Sequence, residues 1–433
     1  MMSRDSVEPV AARSVRSLLR DVVLLGTGAA SGQAIVMLFS PVLTRLYDVE
    51  AFGLFGMFSA VVTSIGTVST LRYEQAILLE PEDEGAAEVF RLCIAVVLGV
   101  TVLSLAGFAV AEMLPIHSTF QRVIPMLLAF GGANIVAQGV FSSLYGWFTR
   151  FGSFRALAIF QFSRSAIGIA LQLALCLLGH DARFLIVGQV VGMVAAMALI
   201  LALGRPSVAR VMFGGYRLSS LWRLARRYHT FALFGAPQTL VRLLSQNLPA
   251  LLLPVFFGAS QSGLFWLAYR ILILPSGIII DSTRGVLFRD LGAIYRSGGD
   301  MRPAIIPPLL SLGAFSLAVV AVLWCFGPFL FGFVFGPQWR ESGHYAAILS
   351  LAWAVENAGM PASVVISLME LQRFYLAVEI LSLVMRSIAL YLGTRYGSAT
   401  IGISLYVAAA IVASLINITY VWWHLARGPK TIR

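Results

Sequence analysis

Residues 47–55 read Tyr47-Asp-Val-Glu-Ala-Phe-Gly-Leu-Phe55, and residues 257–265 read Phe257-Gly-Ala-Ser-Gln-Ser-Gly-Leu-Phe265. Each stretch is an aromatic residue, a short polar turn, and a Gly-Leu-Phe that opens a long apolar run. The offset is 210 residues without a gap, so Gly53 aligns with Gly263 and Phe55 with Phe265.

The runs around these two loops give the repeat its meaning. A membrane span needs about 20 apolar residues, and on that basis spans are predicted near 22–43, 53–71, 89–112, 123–148, 156–178 and 184–204. Six more follow near 230–256, 262–281, 304–330, 344–369, 374–394 and 399–424. The run 304–335 exceeds one span, and Pro328 and Pro337 are expected to turn its outer end along the interface. The two nonamers fall between spans one and two and between spans seven and eight, where a six-plus-six duplication puts them. Six is even, so both halves enter from the same side and the repeats are parallel. The expected fold is all-α: a polytopic membrane protein of about 12 transmembrane helices in two six-helix lobes. The N-lobe is residues 22–204 and the C-lobe 230–424. A segment 1–21, a basic linker 205–229 and a tail 425–433 lie outside them.

Composition agrees. Of 433 residues, 59% are hydrophobic and 12% charged, about half the roughly 25% charge of a soluble domain. The net charge is +11, with Lys430 the single lysine. The arginines are scattered between apolar runs rather than massed on one face, which argues against a nucleic-acid partner. Placing both termini in the cytoplasm puts 22 basic residues in inner segments and 5 in outer loops, a strong positive-inside bias. The linker residues Arg205, Arg210, Arg217, Arg223, Arg226 and Arg227 contribute to it; they read as a topology anchor or as an amphipathic surface helix on anionic lipid.

Other chemistries find little support. Cys93, Cys176 and Cys325 sit in apolar runs without a CxxC neighbour. The five histidines are far apart, and no metal cluster is expected. No Walker A sequence is present, nor a cleavable signal peptide. Gly28–Gly32 and Gly188–Gly192 have GxxxG spacing, read as helix packing within the monomer.

Four arginines fall inside predicted spans: Arg164, Arg242, Arg270 and Arg386. Glu356 and Glu379 are similarly placed. A charge at mid-depth costs about 2.5–3.5 kcal/mol on insertion scales, so each should face protein or water. Pairing with the two glutamates would fix helix positions; even complete pairing leaves two arginines over. The surplus suggests one cationic cavity between the lobes, suited to phosphate through bidentate guanidinium hydrogen bonds. Glu379 and Arg386, seven apart, share one stripe. At the inner end of span two stand Arg72 and Glu74; the repeat offset puts Asp281 and Arg284 at the inner end of span eight. These read as local pairs or as a cytoplasmic gate. Pro237, Pro249 and Pro254 are expected to kink span seven, and Pro275 span eight.

Several stretches resemble the polysaccharide-biosynthesis (O-antigen and exopolysaccharide) lipid-flippase family. That family belongs to the multidrug, oligosaccharidyl-lipid and polysaccharide exporter superfamily. The residues that carry the resemblance include Gly26-Thr-Gly28, Ser40-Pro-Val-Leu-Thr-Arg-Leu-Tyr47, Phe52-Gly53 and Leu71-Arg-Tyr-Glu-Gln-Ala-Ile77. Trp147, Arg150 and Phe154 follow, then Leu248-Pro249, Phe257-Gly258, Ser262-Gly263 and Leu274-Pro275. Pro-x-x-x-Arg-x-Tyr and Arg-Tyr-Glu are the most specific elements. The resemblance implies a non-enzymatic flippase of the bacterial inner membrane. Its substrate would be an undecaprenyl-diphosphate-linked oligosaccharide, moved to the outer leaflet by alternating access, with polymerase and chain-length machinery as partners. No bound cofactor is expected; Asp281, Glu356 and Glu379 are candidates for proton or sodium coupling. An ion-coupled multidrug antiporter, a membrane-embedded polymerase or ligase, and a scaffold without transport are the alternatives.

Overall fold

The computed structural model describes residues 15–115, 117–203, 218–369 and 371–427. The first lobe contains α1 (Val15–Leu46), α2 (Val49–Val68), α3 (Asp83–Met113), α4 (Ser118–Arg150), α5 (Phe154–Leu175) and α6 (Ala182–Leu203). A short helix α7 (Leu218–Arg227) leads to the second lobe. That lobe contains α8 (Phe231–Phe257), α9 (Ala259–Arg296), α10 (Arg302–Phe335), α11 (Arg340–Ala358), α12 (Met360–Leu368), α13 (Gln372–Arg395) and α14 (Ala399–Ala426). No strand occurs among the described residues. In lipid every backbone polar group must be satisfied within the chain, which leaves helices as the solution for apolar runs of this length.

Nine of these stretches are long and apolar enough to cross a membrane, and α11 with α12 forms a tenth, bent by 42°. α1, of 32 residues, and α9, of 38, also exceed the length of a span. Twelve crossings put the start of α1 and the end of α14 on one face, called terminal below; the opposite face is distal.

Several boundaries differ from the sequence reading. α1 begins at Val15, inside the segment expected to precede the N-lobe. α10 does not turn at Pro328 but runs on to Phe335, and the chain breaks at Gly336, whose φ is +116°. Pro328 stays inside the helix, and there the backbone of Gly343 on α11 packs directly against Gly327 and Pro328. The single span expected over 344–369 breaks at Gly359, just before Pro361, which has no N–H for a continuing helix. The seventh span starts in a π turn, Phe231–Gly235, ahead of Pro237, and stays helical through Pro249 and Pro254. α9 continues past residue 281 to Arg296, and its backbone is helical through Pro275.

The two nonamers of the repeat meet each other. α2 crosses α9 with Gly53 against the carbonyl of Ala259 and Gly263 against the carbonyl of Val49; a methyl group at either glycine would overlap that oxygen. Phe55 and Phe265 are buried in the same core, which joins the lobes across this crossing. Other contacts shut the distal end. The Trp339 indole N–H donates to the Thr44 carbonyl at 2.8 Å, and the Thr44 hydroxyl donates to the Phe335 carbonyl at 3.1 Å. Arg45 donates to the carbonyls of Phe333 and Val334 at 3.0 and 3.3 Å. On the opposite edge the Thr119 hydroxyl donates to the Pro254 carbonyl at 3.1 Å.

The linker helix α7 belongs mechanically to the first lobe. Leu221 and Leu224 are buried with the core of α3 and α4, while Trp222 is exposed under Arg226. Glu80 is only 6% exposed and accepts from Tyr228 at 2.8 Å and from Arg227 at 3.2 Å. Burial and this carboxylate push the Tyr228 phenol up, so it remains a donor. Replacing Glu80 with alanine leaves a buried hydroxyl and a guanidinium without their acceptor. A loss of about 1–3 kcal/mol is expected, and limited proteolysis should cut first near α7; unchanged protection there would remove this latch.

Candidate functional site

The buried arginines do not share one cavity. They line two chambers, and the sequence expectation of a single cationic cavity is corrected accordingly. The first chamber, about 230 Å³, lies between the lobes and is lined by α2, α4, α5 and α6 from one side and α9 from the other. It holds Arg164 of α5 and Arg270 of α9. Gly263, Trp266 and Arg270 fall at i, i+3 and i+7, on one helical face. The glycine lets α9 touch α2, the Trp266 ring packs over Gly56, and Arg270 follows one turn deeper. On the facing lobe, Gly192 of α6 packs against the backbone of Gly168 and Arg164, drawing α5 and α6 together.

The rest of this wall is uncharged. Ser59 donates to the Gln189 side chain at 3.2 Å, with Asn134 and Gln138 alongside. The buried Trp266 indole N–H has no hydrogen-bond partner among the described residues. No carboxylate lines the chamber among them. It therefore offers positive charge and side-chain donors, with no carboxylate among those residues to repel an anion.

The second chamber, about 340 Å³, sits inside the second lobe. Tyr375, Glu379, Ser382 and Arg386 form one stripe of α13, joined by Arg242 of α8, Arg284 of α9 and Glu356 of α11. Arg386 is buried, 3.3 Å from Glu356, and 5.1 Å from the centre of the Tyr406 ring. Glu356 is half exposed, into the chamber. Glu379 lines the chamber beside Tyr375. Arg242 and Arg284 have no carboxylate within ion-pair distance among the described residues.

The expected gate residues do not form matching rims. Arg72 and Glu74 pair locally at 3.3 Å, and Glu74 accepts from Thr70 at 2.6 Å. Leu71 and Arg72 both adopt positive φ, 50° and 65°, where the chain turns out of α2. Arg284 is not their counterpart, because α9 runs on for three further turns and Arg284 faces the second chamber. Asp281 has its side chain outside the described residues. Sequence reasoning missed Thr44 and Trp339 of the distal seal, and Trp266, Tyr375 and Asn417 of the chambers. The Gly263–Trp266–Arg270 spacing was the available signal for one of them.

A family model described as polysaccharide biosynthesis protein matches residues 18–288. The chain belongs to that family. Family membership accounts for the duplicated helical lobes, and solved structures share them. A lipid II flippase, MurJ, in an inward closed conformation aligns over 95% of this chain and 88% of its own. Its TM-score is 0.71 at 13% identity. An inward-facing multidrug resistance transporter of the MATE family and MOP superfamily aligns over 98% and 97%, with TM-score 0.61 and 16% identity. A MOP superfamily transporter from Pyrococcus furiosus, described as having a binding pocket of reverse polarity, aligns over 94% and 96%, with TM-score 0.60 and 14% identity. At such identities the likeness is one of fold. No curated protein matches the sequence.

Proposed function

We propose that this chain is a flippase that carries an undecaprenyl-diphosphate-linked oligosaccharide across the bacterial inner membrane. The direction is from the inner to the outer leaflet, for surface polysaccharide assembly. The observation that carries the reading is the first chamber: two guanidinium groups between duplicated lobes, with amides around them and no carboxylate among the described residues. Burying such charge is costly unless an anion shares the site, and guanidinium geometry suits a diphosphate. The charge bias of the loops favours a cytoplasmic terminal face, and in that orientation the distal seal closes the outer side. Opening the distal seal while closing the terminal side would expose the diphosphate site to the other leaflet, with the lipid tail left in the bilayer. Glu356, Glu379 and Asp281 are our candidates for proton or sodium coupling. A polysaccharide polymerase and its chain-length machinery would take over the product. The chain itself makes and breaks no bond in this scheme.

A multidrug antiporter of the same superfamily is the runner-up. An organic cation would be repelled from the first chamber, since the buried acids lie in the second. Purified chain in vesicles separates the two. It should move a diphosphate-linked oligosaccharide between leaflets and should not transport ethidium. Ethidium transport without lipid movement would reverse the assignment.

A further inference from the structure

The two chambers differ in the ligand chemistry they offer, and the second is not a phosphate site. The diphosphate diester of the lipid-linked cargo carries two negative charges and donates no hydrogen bond. The second chamber offers a single positive charge beyond the carboxylates of Glu356 and Glu379, and mixes those acceptors and the Asn417 side chain with its guanidinium donors. Sugar hydroxyls both donate and accept, so a wall of mixed acceptors and donors suits them. Three buried groups here lack any partner among the described residues: the hydroxyl of Ser382, the Nε–H of Arg386 and the oxygen of Asn417. Ser382 is 2% exposed and Arg386 7%. Buried polar atoms are nearly always satisfied in native proteins, so these three mark a place where a ligand completes the bonding.

Charge narrows the ligand further. Arg386 is paired to Glu356. Arg242 and Arg284 remain, and three guanidinium groups against two carboxylates leave one positive charge in excess. The chambers also adjoin: Arg270 of the first and Ile273 of the second are three residues apart on α9, a rise of about 4.5 Å. We infer that the second chamber binds the saccharide portion of the cargo, and that Arg242 and Arg284 select a sugar bearing a carboxylate.

This inference rests on the flippase reading above, and the test keeps the two apart. Full-length chain in nanodiscs is titrated with three probes: inorganic pyrophosphate, a glucuronate-containing tetrasaccharide and a neutral glucose tetrasaccharide. The acidic tetrasaccharide should bind more tightly than the neutral one. Arg242→Gln and Arg284→Gln should each weaken it by about tenfold, the loss of one charged hydrogen bond, with pyrophosphate unchanged. Arg270→Gln should weaken pyrophosphate alone. Equal binding of the two sugars, or acidic-sugar binding unmoved by both second-chamber variants, overturns the saccharide site. Pyrophosphate that fails to bind the unsubstituted chain overturns the flippase reading instead. Unchanged melting and elution of the unliganded variants excludes misfolding; a variant that fails this check is replaced by Arg242→Lys or Arg284→Lys, for which a smaller loss of acidic-sugar binding is expected.

Discussion

Replacing Gly53 with alanine should open the distal seal. The added methyl group falls on the carbonyl of Ala259, and the equivalent change at Gly263 falls on the carbonyl of Val49. These obstacles are backbone atoms of a packed helix, which cannot rotate away as a side-chain end can. Overpacking costs about 1–3 kcal/mol even where neighbours adjust, and we expect the upper end, about 3 kcal/mol, for each substitution. The chain can relieve the strain by letting α2 and α9 separate, which breaks the hydrogen bonds of Thr44 and Trp339 beside them. Thr44 is fully buried, so a cysteine placed there in a background lacking Cys93, Cys176 and Cys325 reports opening. Its reaction with an impermeant thiol reagent should accelerate by about a hundredfold in Gly53→Ala. Gly99 of α3 has no atom within 4 Å of its would-be methyl group, and Gly99→Ala should change nothing. Combining Gly53→Ala with Gly263→Ala should cost less than the sum, because both strain one crossing. Wild-type protection of the cysteine in Gly53→Ala would show that the lobes are not held at this point.

The repeat was legible because its physical cause is local. Gly-Leu-Phe is needed wherever a helix must approach another backbone closely and then bury an aromatic, and both copies do so at one shared crossing. The presence of each apolar run was equally legible, since apolar composition is set by the bilayer, though several helices run well past it, α9 to Arg296. Helix ends were harder to place. Pro328 looked like a terminator, yet α10 passes through it and ends only at Gly336. The bend at Gly359 had a signal, Glu356-Asn-Ala-Gly-Met-Pro361, which the apolar residues on either side outweighed when the run was read as one span.

The arginines were legible as buried charges and not as a partition. Insertion cost says that Arg164, Arg242, Arg270 and Arg386 must face protein or water. It does not say which neighbours share each site. Arg270 and Arg284 lie on the same helix α9, yet one joins Arg164 across the lobe boundary and the other joins the acids of the second lobe. Two heptads apart, they lie within about 40° of one face and about 21 Å apart along the axis, so the division depends on depth along α9 and on which elements flank it there.

The partition gives Arg270 and Arg386 opposite signatures. Arg270 shares an acid-free chamber with Arg164, so two like charges repel each other and each has lost hydration. Arg270→Ala removes one of them, and the unliganded chain should melt at the same temperature or higher, by the equivalent of about 1 kcal/mol or more. Transport should nevertheless be lost, because the diphosphate then meets a single guanidinium. Surface polysaccharide in a strain that depends on this chain should disappear while the protein inserts normally. Arg386→Ala does the reverse to stability. It leaves Glu356 without its partner and the Tyr406 hydroxyl without a donor, while the Ser245 carbonyl keeps the Tyr406 hydroxyl. Glu356 opens into the chamber, which softens the loss, and about 1–2 kcal/mol of destabilisation is expected. Melting curves of the two variants beside a transport assay decide the matter. An Arg270→Ala chain that unfolds early would make that residue a structural strut, and one that still supports polymer export would remove it from the diphosphate site.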